Sequence, residues 1–257
     1  MIKELFNLNG KTALITGGSS GLGEQFAHVL SASGAKVIIV GRNRQKLEKV
    51  VTEIKAADGN ACFMQLDITD QEKLYELESS LQEERIDILI NSAGIAKATW
   101  IFYPQNENEF ETILSTNVNA MWQVTKIVAN HMKESGIAGS IINISSVNGA
   151  SKLREGITAY AASKAAVIQM TKALVGELAS ENIRINAIVP GLFHTPLTDY
   201  KLNSEELRVE MAQSIPLGFI AEPSDLDGAI LFLASNKASR YVTGSCITVD
   251  GGVCWGG

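Results

Sequence analysis

Tyr160 and Lys164 stand four residues apart in a segment with helical spacing, which puts them on one face, one turn apart. An ammonium beside a phenol favours the phenolate and lowers its pKa from about 10, the change a tyrosine needs to move protons near neutrality. Taken singly, the pair fits a tyrosine packed on a lysine stem equally well. Ser145 and Ser146 follow directly on the apolar run 140–144. A hydroxyl there can donate to a carbonyl oxygen or cap the next turn.

A second feature binds rather than reacts. Ala13-Leu14-Ile15 runs through Thr16-Gly17-Gly18-Ser19-Ser20-Gly21-Leu22-Gly23 into a segment whose Leu22, Phe26, Val29 and Leu30 fall on one helical stripe. A buried strand that turns through glycines into a helix brings backbone N–H groups and the positive helix end to one point, where phosphates bind. Gly17 lets the chain leave the strand, Gly21 lets backbone approach a pyrophosphate, and Gly23 lets the helix lie close on the sheet.

These groups need a scaffold, and the rest of the chain reads as one. Apolar runs at 36–40, 61–66, 86–90, 140–144, 183–189 and 246–249 are strands. Helical patterns lie at 47–54, where Gly59-Asn60 stops the helix, then from about Gln71, and at 110–131, 159–178 and 224–234, with Thr69 or Asp70 as a cap for the second of these. Strands apolar on both faces that alternate with helices predict an α/β, Rossmann-like, doubly wound parallel sheet of about seven strands with helices on both faces. A single domain over 1–257 is expected, because no linker composition divides it. Only 192–219 breaks the rhythm: it follows Pro190-Gly191, holds a polar helical pattern, and is expected to cover a site at the carboxyl edge of the sheet.

Composition narrows the class. With 46% hydrophobic residues the chain can bury a large core, and its net charge of -6 argues against nucleic acid or an anionic membrane as partner. There is no signal-peptide stretch and no apolar run of about 18 residues, so a soluble cytoplasmic protein is expected. Cys62, Cys246 and Cys254 have neither an even number nor ligand spacing, so neither a disulfide framework nor a metal site is expected. His28 reads as a helix-flank residue, His131 as a solvated cation at a helix end, and His194 as a loop histidine or a substrate contact. Trp100, Phe102 and Tyr103 fit either a substrate cleft or an oligomer interface.

Across 11–252 the motifs together resemble the short, single-domain members of the short-chain dehydrogenase/reductase family, in the branch that holds 3-oxoacyl-[acyl-carrier-protein] reductases and gluconate 5-dehydrogenases. The correspondence rests on Thr16 to Gly23, on Asn91-Ser92-Ala93-Gly94, on Asn117, on Ser146, and on Tyr160 with Lys164. It extends through Pro190-Gly191 with Thr195 to 241–252. The resemblance implies that Tyr160 exchanges a proton with the substrate oxygen, which Ser146 holds. Lys164 would lower the tyrosine pKa and grip the nicotinamide ribose, and Asn117 would hold a water linking Lys164 to solvent. It further implies cofactor contacts from Gly17, Ser19, Ser20, Gly21, Leu22, Gly23, Asn91, Ala93, Gly94, Pro190, Gly191 and Thr195, and a homotetramer or homodimer. Ser92 replaces a second asparagine. The spacing from Ser146 to Tyr160 is one residue longer than usual and carries Lys152, Arg154 and Glu155, which alters the loop above the substrate.

Cofactor choice turns on the end of the second strand. Gly41 stands where a carboxylate would select NAD, and Arg42 follows it, suited to the extra phosphate of NADP. Asp67 and Ile68 are expected beside the adenine. The expected reaction is hydride transfer between NADP(H) and a small-molecule carbonyl or secondary alcohol. NAD, a lyase or epimerase on the same fold, and a non-catalytic nucleotide binder remain as alternatives.

Overall fold

The computed structural model describes residues 2–102, 108–199 and 202–255. In chain order, α1 (Ile2–Leu5), β1 (Thr12–Thr16), α2 (Gly21–Ala32), β2 (Lys36–Gly41), α3 (Arg44–Ala56), β3 (Asn60–Gln65), α4 (Gln71–Leu81) and β4 (Ile88–Asn91) form the first half. The second half carries α5 (Glu109–Leu114), a π-helical turn (Ser115–Ala120), α6 (Met121–Glu134), β5 (Ser140–Ile144), α7 (Val147–Ala150), α8 (Thr158–Ala173), α9 (Val175–Ala179) and β6 (Arg184–Pro190). It ends with α10 (Glu205–Gln213), a 3-10 turn (Pro223–Leu226), α11 (Asp227–Ala234), α12 (Asn236–Ser239) and β7 (Cys246–Val249).

All seven strands join one sheet in the order β3-β2-β1-β4-β5-β6-β7, and every pairing is parallel. β1, β4, β5 and β6 are buried along their whole length, as strands covered on both faces must be. One face packs Phe26 and Leu30 of α2, Leu47 of α3 and Leu233 of α11 against the sheet. The opposite face takes Leu77 and Leu81 of α4, Val124 and Val128 of α6, and Leu174 and Leu178 at the end of the α8–α9 segment.

The register fixes where chemistry is possible. Thr16 pairs with Asn91, Asn91 with Asn143, Ile144 with Ile188, and Pro190 with Val249. Gly17, Ser92, Ser145 and Gly191 therefore leave along one edge. The sheet grows outward in both directions from β1 and β4, so the crevice between them opens on that edge.

Three helices and one strand differ from the pattern read off the sequence. The expected helix 110–131 is α5 and α6 joined by the π turn, the helix 159–178 breaks at Leu174, and 224–234 begins as a 3-10 turn. The fourth strand starts at Ile88 and reaches Asn91. Asp70 caps α4, accepting from the Glu72 and Lys73 amides. Ser204 caps α10 within 192–219, accepting from the Leu207 amide. Tyr103 lies outside the described residues. Among those described, no helix is long and apolar enough to cross a membrane.

Candidate active site

The turn after β1 is shaped by close approach. Gly17 has φ +70, and a Cβ there would lie 2.7 Å from the Cα of Ala93. Gly21 has φ +58 and faces Thr195, whose Cβ lies 3.4 Å from where a Gly21 Cβ would stand. Gly23 presses on the carbonyl of Gly17, so its missing side chain lets α2 close on its own turn rather than on the sheet. Ser20 caps α2 through its extended backbone and makes no side-chain cap bond. The first amides of α2, at Gly21, Leu22 and Gly23, thus keep the unsatisfied donors of a helix start, in a hollow that side chains would fill. A pyrophosphate fits that donor set.

At the end of β2 the Arg42 guanidinium is 71% exposed and stands 3.6 Å from the Asp67 carboxylate. Asp67 Oδ1 accepts from both the amide and the hydroxyl of Thr69, at 2.9 and 2.8 Å. Burial alone would raise the Asp67 carboxyl; the Thr69 donors and then Arg42 outweigh it and hold it below the usual value. Ile68 is buried beside it. Arg44 is committed elsewhere, 2.7 Å from Glu48 and over the Phe63 ring. Ser19 lies against Gly41, where a Cβ would be 3.2 Å from Ser19 Oγ.

Ser146, Tyr160, Lys164 and Asn117 come together at the ends of β4 and β5. Ser146 is extended, caps α7, and accepts from the Asn148 amide at 3.2 Å. An oxygen that accepts this bond still has its hydrogen to donate, so the cap and the substrate contact are compatible uses of one hydroxyl. Ser145 Oγ donates to the Lys164 carbonyl at 2.8 Å, and Lys164 Nζ donates to the Ile144 carbonyl at 2.9 Å. Those two bonds stitch α8 to the end of β5. Lys164 Nζ lies 5.8 Å from the centroid of the Tyr160 ring. Only 6% of Lys164 is exposed, and burial pushes its ammonium down to about 8.

Asn117 sits in the π turn, and its amide is spent on protein. Oδ1 accepts from the Ile95 amide at 2.9 Å; Nδ2 donates to the Ile95 carbonyl and to Ser163 Oγ, both at 3.0 Å. Ser163 in turn donates to the Tyr160 carbonyl at 2.7 Å. Gly94 is wedged among them, since a Cβ would stand 3.3 Å from both Asn117 Oδ1 and Lys164 Nζ.

Several expected roles change. The Asn91 side chain turns into the core, where Nδ2 donates to Thr125 Oγ1 and Asn143 Oδ1, both at 2.9 Å; its backbone is what it can offer a ligand. The Ala93 amide donates to Thr16 Oγ1 at 3.3 Å, and the Gly191 amide to the Val249 carbonyl at 2.9 Å. Pro190 ends β6 and is buried, while Thr195 shares hydrogen bonds with Thr198. His194 lies 3.5 Å from Glu222 and 3.6 Å from Asp199, between the start of the segment 192–219 and the residues just after it. Trp100 packs on Gly156. His131 is not fully solvated, for its Nε2 is shielded and without a partner.

Ser163, Thr99 and Ile95 escaped the sequence reading. Ser163 carried a signal, lying on the helical face beside Tyr160; the other two join the site only through the fold. Away from this edge, Glu24, His28 and Glu53 could gather around a metal ion, but the Lys49 ammonium lies 3.5 Å from Glu53 and 3.9 Å from Glu24.

Known proteins resemble this chain over nearly its whole length. A family model described as enoyl-(acyl carrier protein) reductase matches residues 17–254. A 3-oxoacyl-[acyl-carrier-protein] reductase of Thermotoga maritima is 38% identical over 248 residues, covering 96% of this chain and 98% of that protein. The gluconate 5-dehydrogenase of Gluconobacter oxydans is 35% identical, with 97% of each covered. The solved gluconate 5-dehydrogenase of Burkholderia cenocepacia J2315, in complex with NADP and tartrate, superposes with a TM-score of 0.91 at 30% identity over 98% of each chain. With a match over nearly the whole length and a glycine turn, strand-end serine and Tyr-Lys helix on one edge of one parallel sheet, the chain belongs to the short-chain dehydrogenase/reductase family.

Proposed function

We propose that this protein transfers a hydride between NADP(H) and a carbonyl or secondary alcohol, with Tyr160 exchanging the proton at the substrate oxygen. The observation that carries this reading is the buried Lys164 ammonium, 5.8 Å from the Tyr160 ring and bonded to the Ile144 carbonyl at the strand end from which Ser146 follows, its hydroxyl hydrogen free of the bond it accepts from Asn148. When bound, the nicotinamide cofactor supplies or takes up the hydride. The amides of Gly21, Leu22 and Gly23 would receive its pyrophosphate, Arg42 would meet the 2′-phosphate, and Ile68 would flank the adenine. Gly94, Gly191 and Thr195 would border the nicotinamide, and Lys164 would grip its ribose.

During reduction, charge gathers on the substrate oxygen. Ser146 donates to that oxygen and Tyr160 gives it a proton, so both act more strongly in the transition state than before it. The phenolate left behind is held by Lys164. The Asn117 amide already bonds Ile95 and Ser163, so the water that passes a proton on to solvent is assigned to backbone carbonyls of the π turn. Asn117 then serves the relay by shaping that turn.

The test is Tyr160→Phe, which removes the transferable proton and keeps the ring. Over a panel of oxoacyl thioesters, keto-sugar acids, hydroxysteroids and diketones, kcat falls at least about a hundredfold while NADP affinity stays within a few-fold. Retention of most of the rate would refute the relay. Consumption of NADPH in step with product separates this reaction from a lyase or epimerase that keeps its cofactor.

A further inference from the structure

The five residues after β4 and its glycine form a strap between the two helices that carry the site. At one end the Asn117 side chain grips Ile95 by both its N–H and its C=O, at 2.9 and 3.0 Å. Midway, Lys97 lies 3.7 Å from Glu109 at the start of α5. At the far end the Thr99 amide donates to the Gly156 carbonyl at 2.8 Å, and Thr99 forms a parallel bridge with Ile157. The Thr99 hydroxyl accepts from the Ala159 amide at 3.1 Å.

That last bond fills a gap. α8 begins after Ile157, an apolar residue that makes no side-chain cap bond. A helix start needs acceptors for its first amides, and serine, threonine, asparagine or aspartate at the cap position usually provides one. Here the acceptor comes from 60 residues earlier in the chain. The bonded amide belongs to the residue just before Tyr160, so Tyr160 lies within the first turn, the part of a helix that frays most readily. The Ser163 hydroxyl donates to the Tyr160 carbonyl, and Ser163 is held in turn by Asn117. Thr99, Ile95, Asn117, Ser163 and Tyr160 thus close a ring around the phenol-bearing turn.

We propose that Thr99 is a positioning residue: its hydroxyl caps the catalytic helix in place of the missing local cap and holds the Tyr160 turn against the strap. The inference rests on the acid/base reading of Tyr160. Misplacing an acid/base group by a fraction of an ångström weakens the chemical step more than the binding of substrate or nucleotide. Valine at 99 keeps the shape and removes the acceptor; serine keeps the acceptor.

The experiment compares Thr99→Val, Thr99→Ser and the unaltered protein by two readouts. In cofactor-linked turnover, Thr99→Val lowers kcat about tenfold or more while KM for the nucleotide changes less than about threefold, and Thr99→Ser restores most of the rate. In native-state hydrogen exchange, the Ala159 and Tyr160 amides of Thr99→Val exchange about fivefold faster or more, while amides in β5 and the rest of α8 hold their protection. Equal loss of protection throughout the chain, an unchanged kcat, or a serine variant as slow as the valine variant overturns the proposal. Absence of turnover by the unaltered protein on every carbonyl tested counts against the function proposed above instead. Exchange at Ala159 then decides the cap by itself.

Discussion

Lys164 holds its ammonium where almost no water reaches it, with the Ile144 carbonyl as the acceptor it is seen to use. Burial has moved the group down to about 8 from 10.5. Between about pH 8 and 10.5 the unfolded chain keeps a proton that the folded chain has shed, so stability rises with pH across that window, and the full cost is present below it. A shift of that size corresponds to roughly 3 kcal/mol at neutral pH. Lys164→Met should therefore raise Tm at pH 7 while removing activity, and the gain should shrink as pH climbs from about 8 toward 10.5; a variant less stable than the parent at pH 7 would contradict this. The sequence showed that Lys164 and Tyr160 share a helix face, because that follows from spacing. It could not show that Asn117 spends its amide on Ile95, because the contact joins residues brought together only when β4 and the π turn meet.

At the scale of elements, the end of β2 carries the cofactor prediction. Arg42 and Arg44 are both exposed there, at 71% and 65%; Arg42 stands 3.6 Å from Asp67 in an ion pair that water screens, whereas Arg44 is held closer, 2.7 Å from Glu48 and over the Phe63 ring. A 2′-phosphate offers Arg42 a stronger, two-pronged partner than Asp67 does. NADP(H) should be favoured about tenfold or more over NAD(H) in kcat/KM, and Arg42→Ala should lose that preference while leaving NAD(H) kinetics nearly unchanged. Side-by-side kinetics on one substrate decide it, and equal efficiency with NAD(H) would overturn the assignment. The strands themselves were legible because unbroken apolar runs have few other fates in a chain of this length. The π turn was not. Ser115-Thr116-Asn117-Val118-Asn119-Ala120 has the same side-chain pattern as an ordinary helix, and a one-residue offset in backbone bonding leaves no trace in the spacing.

For the whole molecule, the two faces of the sheet are covered differently. α2, α3 and α11 bury one side. On the other, α6 sends Val124, Val128 and Met132 inward, and Leu174 and Leu178 do the same at the end of the α8–α9 segment. Apolar side chains remain on the outer flanks here: Phe110 of α5 is 46% exposed, Trp122 of α6 is 37% exposed, and Ile168 and Met170 of α8 are half-buried. A helix that is apolar beyond its core stripe has surface left over for another element. Because identical copies pair most simply about a twofold axis, α6 and α8 are the flanks on which a second copy would seat, each copy covering the other with the same residues. A stable contact needs about 800 Å² from each partner, which two adjacent helices of 14 and 16 residues can supply. Light scattering at micromolar concentration should give a dimer or tetramer. Trp122→Asp places a carboxylate at the centre of the proposed contact and should weaken assembly at least tenfold while far-UV circular dichroism of the dissociated chain stays folded. A monomer in the unaltered protein, or assembly indifferent to Trp122→Asp, would mean that these flanks face solvent in the working enzyme.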